Sequence, residues 1–104
     1  MAVVEISVTP LATVGSGVSA YVAGCVKIAR ESGLKVQLTP MGTILEGEMS
    51  DLWPVLMEMH AFPFDQGVER VSTLIKVDDR RDGRVHSMAG KVESVERHLG
   101  ASEK

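Results

Sequence analysis

The chain has 104 residues, 44% of them hydrophobic and 24% charged, a size and balance that fit one domain with one core and exclude wholesale disorder or a fibrous repeat. Its formal net charge is −3 with Lys and Arg mixed among acids, so no general basic field exists to hold a nucleic-acid backbone. No apolar run reaches membrane-spanning length, the first residues carry no basic segment or cleavage site, and the single cysteine, Cys25, has no intramolecular partner; a reducing cytoplasm is expected.

Val4, Ile6 and Val8 alternate with Glu5, Ser7 and Thr9, the period of a half-buried strand that Pro10 helps to end. After Gly15, Ser16 and Gly17, apolar side chains recur at Val18, Tyr21, Val22, Cys25, Ile28 and Ala29. This spacing predicts a helix over 19–32, stopped by Gly33. Two strand-like runs, 35–41 and 43–48, are separated only by Gly42 and predict a hairpin whose tight turn borrows flanking residues. Ser50 or Asp51 can cap a second helix that tolerates Pro54 in its first turn and buries Leu52, Val55, Leu56 and Met59. Pro63 is expected to interrupt it, leaving 62–67 as a connecting loop. Val71, Thr73, Ile75 and Val77 alternate through a last strand that ends in the charged run 78–83. Met88, Val92, Val95 and Leu99 then mark a third amphipathic helix closed by Gly100. The order β-α-β-β-α-β plus a helix is the split βαβ pattern of a ferredoxin-like α/β (α+β) sandwich, here a single domain over 1–104.

One motif is repeated. Residues 9–13 and 39–43 both read Thr-Pro-x-x-Thr with a small fourth residue, after strand one and strand two. In the split βαβ topology these strands are parallel, so both repeats, the start of helix one and the loop carrying Phe62, Phe64 and Asp65 belong to one sheet edge. Hydroxyls and backbone groups that orient a polar heterocycle, with apolar covers for its faces, are the usual make-up of a small-molecule site. The plainer reading is that threonines end strands and prolines break them. A phosphate at Gly15-Ser16-Gly17 has weak support, because no lysine follows.

The remaining chemistry-bearing residues fit structural roles. The run Asp78-Asp79-Arg80-Arg81-Asp82 fits a solvated turn or an ion-pair network between subunits. His60, His86 and His98 lack ligand spacing, so no metal is expected. Cys25 sits in an apolar stripe with no activating base. Glu46 and Glu48 share a strand face, where a solvated or interface role is expected ahead of acid/base work. The sheet face away from the helices, with Glu5, Ser7, Thr9, Gln37, Thr39, Ser72, Leu74 and Lys76, is either wet or paired with another copy.

Residues 4–11, 19–22, 31–35, 38–48, 59–60, 63–64 and 75–82, taken together and in this order, resemble the thiamine-binding protein family of small ferredoxin-like domains. The stretches 38–48 and 78–82 are the specific ones. The resemblance implies a homo-oligomer, usually dimers paired into a tetramer through sheet contacts, that binds thiamine or its hydroxymethylpyrimidine part without transforming it. No other cofactor is implied. Where the family often has Gly, this chain has Ala12, which narrows a ligand's approach to that loop. A pocket for thiamine wants hydroxyls, an apolar cover and a nearby carboxylate. Thr9, Thr13, Ser16, Thr39 and Thr43 are the polar candidates, Met41 and Phe64 the covers, Glu46 and Asp65 the acids. The facing of Glu46 is left open by strand register. A regulatory or scaffolding homo-oligomer without a ligand of its own is the alternative, and an enzyme ranks behind both.

Overall fold

The computed structural model describes residues 1–11, 17–84 and 86–102. Its elements are β1 (Ala2–Pro10), α1 (Ser19–Glu31), β2 (Lys35–Thr39), β3 (Gly42–Gly47), α2 (Met49–Asp65), β4 (Val71–Asp79) and α3 (Met88–Ser102). The sheet order is β2-β3-β1-β4 with every neighbouring pair antiparallel, the ferredoxin-like arrangement, and α3 is the added C-terminal helix.

Strand alternation decides which side chains meet the helices. Val4 stands between Leu45 and Val77, and Ile6 between Thr43 and Ile75, so these residues share one face. On that face Ala2, Val4, Ile6 and Leu45 pack with Cys25 and Ala29 of α1 and with Leu52, Leu56 and Met59 of α2. Each fully buried aliphatic side chain contributes about 1.5–3 kcal/mol of burial. The two helices come unusually close, because a Cβ on Gly24 would lie 2.1 Å from the Phe62 ring. Gly33, at φ +82°, turns the chain out of α1 as its position in the sequence suggests.

Helix α2 departs from the sequence reading. It starts at Met49 with Glu48 as an N-cap that makes no side-chain cap bond, so Ser50 and Asp51 lie inside the first turn and Pro54 inside the second. It also runs through Pro63 to Asp65, and no loop begins at Phe62. A proline at 63 removes the amide that would bond the carbonyl four residues earlier, that of Met59. The Cys25 thiol takes over, donating to the Met59 carbonyl at 3.2 Å. A residue on the neighbouring helix thus supplies the missing donor.

Helix α3 continues past Gly100 to Ser102. It is tied to the open sheet face by its first turns: the Met88 N–H donates to Glu46 Oε2 at 2.8 Å, and Lys91 pairs with Asp78. His86 sets its Nε2 3.2 Å from the Asp78 carbonyl. Its apolar stripe meets no core, with Val92, Val95 and Leu99 59%, 59% and 51% exposed. The charged run at the end of β4 closes on itself, Arg80 to Asp82 and Arg81 to Asp79, both at 2.9 Å.

Candidate functional site

The β1–β3 ladder ends where Ile6 faces Thr43, whereas β1 continues to Pro10 against β4 alone. Beyond that point the sheet forks, with β1 on one side and the β2–β3 hairpin on the other. A cavity of about 150 Å³ occupies the fork, lined by Ile6, Ser7, Val8 and Thr9 of β1, Leu38 to Thr43 of the hairpin, Val18 and Val22 at the start of α1, Cys25, and Met59 of α2. Cavities of roughly 150 Å³ accept a single aromatic ring.

The structure brings four of the sequence candidates together here: Thr9, Thr39, Met41 and Thr43. Their hydroxyls are not equivalent. Thr39 Oγ1 donates to the Gly42 carbonyl at 2.8 Å and accepts from the N–H groups of Met41 and Gly42 at 3.3 and 3.1 Å, so it is committed to closing the turn. Thr43 is nearly buried as a residue, no protein group among the described residues bonds its hydroxyl, and the hydroxyl oxygen is the part that keeps some exposure. Thr9 stands opposite Ser72 with its side chain exposed at the fork. Met41, 81% exposed, hangs over the opening. Thr13 and Ser16 lie outside the described residues.

The other three candidates sit elsewhere. Glu46 occupies the far end of β3, opposite Val3 and Lys35 on the open face, which settles its facing. Its carboxylate is buried, with Oε1 3.3 Å from Lys35 Nζ and Oε2 bonded to Met88. Phe64 lies on α2 with its ring edge-on to His60 at 5.6 Å, and His60 Nδ1 is 2.7 Å from Thr73 Oγ1. Asp65 ends α2 and is exposed. Because α2 absorbs Pro63, the loop expected to carry Phe64 and Asp65 to the repeats does not form.

The cavity's inner wall includes residues that the sequence marks only as core stripe: Val22, Cys25 and Met59. Burial pushes the Cys25 thiol up from its ordinary value, a hydrogen bond from its own backbone opposing this more weakly. A protonated, hydrogen-bonded thiol is a wall, not a ready nucleophile. No charged side chain lines the cavity among the described residues. Among them, too, no group of three or more His, Cys, Asp or Glu is placed to hold a metal, and no helix is long and apolar enough to cross a membrane.

The chain is 45% identical to the YqgV protein of Bacillus subtilis over 103 residues, 95% of this chain and 98% of that one. A Staphylococcus xylosus relative is 42% identical over 95% of both. Among solved structures, the MJ1052 protein of Methanocaldococcus jannaschii matches with a TM-score of 0.82 at 31% identity, covering 90% of this chain and 94% of that one. A candidate thiamine biosynthesis/salvage protein of Thermotoga maritima shares the fold, with a TM-score of 0.74 at 21% identity over 90% and 97% of the two chains. The model of the family described as thiamine-binding protein matches residues 4–96. With nearly its whole length matched and the fold in common, the chain belongs to the thiamine-binding protein family.

Proposed function

We propose that this chain binds thiamine or its hydroxymethylpyrimidine half and releases it unchanged, as a cytoplasmic homo-oligomer built from dimers paired into a tetramer. The observation that carries the ligand is the ring-sized fork cavity, whose Thr43 hydroxyl has no protein partner among the described residues. Apolar and sulfur-bearing side chains from Leu38, Met41, Val22 and Met59 cover the faces of a flat ring, and Thr9 and Thr43 offer its edge donors and acceptors. The cavity admits one ring, so the pyrimidine half enters while the thiazolium of thiamine stays at the mouth. That placement suits its charge, since the lining holds no carboxylate to pair it. The family's description supports the same ligand class. A thiol held protonated and already bonded supports binding over covalent chemistry.

Titration calorimetry with thiamine and with hydroxymethylpyrimidine tests this reading. Saturable heat with one site per chain is expected, together with a rise in Tm. No heat and no thermal shift at millimolar ligand would sink it. The exposed apolar residues Leu74, Val92, Val95 and Leu99 favour one alternative, a scaffolding oligomer without a small ligand, and that reading predicts self-association with no heat.

A further inference from the structure

The fork cavity exposes main chain as well as side chains, and three observations show which groups. In an antiparallel strand, the N–H and C=O of one residue point to the same side and alternate along the chain. A Cβ on Gly42 would lie 2.9 Å from the Ile6 carbonyl oxygen, so the even-numbered residues of β1 direct their polar backbone toward β3. On the opposite parity, Leu11 N–H reaches the Arg70 carbonyl at 2.9 Å, on the β4 side. Pro10, an even position, has no N–H where none is needed by a ladder. Val8 is the even residue between, and the β3 register stops at Ile6. Its N–H and C=O therefore face the fork with no partner on β3, in a half-buried position where an unpaired amide is costly.

Building on the ligand reading above, we propose that Val8 is the recognition edge of the site, its N–H and C=O pairing with adjacent acceptor and donor groups of a neutral heterocycle. The ring nitrogen beside the exocyclic amine of an aminopyrimidine has this pattern: the ring nitrogen accepts from Val8 N–H, and the amine donates to Val8 C=O. The bound ring takes the place of the next β3 residue in the interrupted ladder, and the Thr43 hydroxyl bonds a third heteroatom. The sequence around the fork matches a neutral guest, because no charged residue occurs from Ile6 to Val26 or from Val36 to Leu45. A site built on a donor beside an acceptor rejects a ligand that reverses one of them.

Amide hydrogen exchange followed by NMR on the full chain tests the assignment, with hydroxymethylpyrimidine and its 4-oxo counterpart as probes. In the free protein the Val8 amide is expected to exchange at least about tenfold faster than that of Ile6, and to slow by about tenfold or more when hydroxymethylpyrimidine saturates the chain. The 4-oxo compound, which replaces the amine donor with an acceptor, is expected to bind at least about tenfold more weakly. A Val8 amide as protected as Ile6 in the free chain overturns the proposal. So does measurable binding that leaves Val8 exchange unchanged, or equal affinity for the two probes, and both of these leave the ligand reading standing. Absence of any binding overturns the ligand reading and this assignment with it, and is told apart by the missing heat.

Discussion

Cys25 and Pro63 are 38 positions apart, and each explains the other. The proline leaves the Met59 carbonyl without its helical donor, and the thiol supplies one. Replacing Cys25 with Ala strands a buried carbonyl and opens a small void, so urea denaturation should show a loss of about 1–3 kcal/mol. In a Pro63→Ala background the restored amide satisfies the same carbonyl. The Cys25→Ala cost should then shrink by about 1 kcal/mol, a coupling that a double-mutant cycle measures directly. Thr43 makes the opposite case. Its hydroxyl has no partner among the described residues, so Thr43→Val should leave the unfolding midpoint unchanged or raised while weakening hydroxymethylpyrimidine binding about tenfold. The repeated Thr-Pro-x-x-Thr motif pointed to this corner of the sheet. It could not show that Thr39 spends its hydroxyl on its own turn while Thr43 does not, since both flank the same hairpin turn.

At the scale of elements, the strands and α1 were legible because their alternation and 3.6-residue periods are undisturbed and Gly33 marks a stop. Helix α2 was not. A proline reads as a breaker unless a distant donor replaces the bond it deletes, and the Cys25 thiol is invisible in local sequence. That one misjudged boundary also put Phe64 and Asp65 on a loop, where the structure has them in the last turn of α2. Helix α3 depends on charge. The Lys91 ammonium beside Asp78, by hydrogen bonding, holds its carboxyl below the usual carboxylate range. A lowered folded value means that the tether contributes fully above the unfolded carboxylate pKa and is lost as pH falls through the folded one. Amide exchange across 88–95 should therefore accelerate below the ordinary carboxylate range, before the sheet amides respond, and Asp78→Asn should bring the same acceleration at neutral pH.

For the whole molecule, the apolar stripe of α3 and the open sheet face with Leu74, 71% exposed, stay uncovered in a single chain. Such surfaces in a small domain favour pairing with further copies. Analytical ultracentrifugation should find an assembly larger than one chain, which Leu74→Glu or Val95→Glu reduces in mass without loss of helical circular dichroism. The sequence marked the open face, since its residues alternate with the core set. It also marked α3 as amphipathic, but which surface its stripe meets depends on contacts beyond one chain.

The account rests most heavily on a ligand occupying the fork between β1 and the hairpin, and the chain's only cysteine stands in that wall. The most direct measurement is the rate at which a small alkylating reagent labels Cys25, with and without saturating hydroxymethylpyrimidine, read by intact mass. Occupancy of the cavity predicts labelling slowed by about tenfold or more, as expected when a guest covers the cavity wall in which the buried thiol stands. Binding that leaves the Cys25 labelling rate unchanged would place the ligand elsewhere and contradict the account.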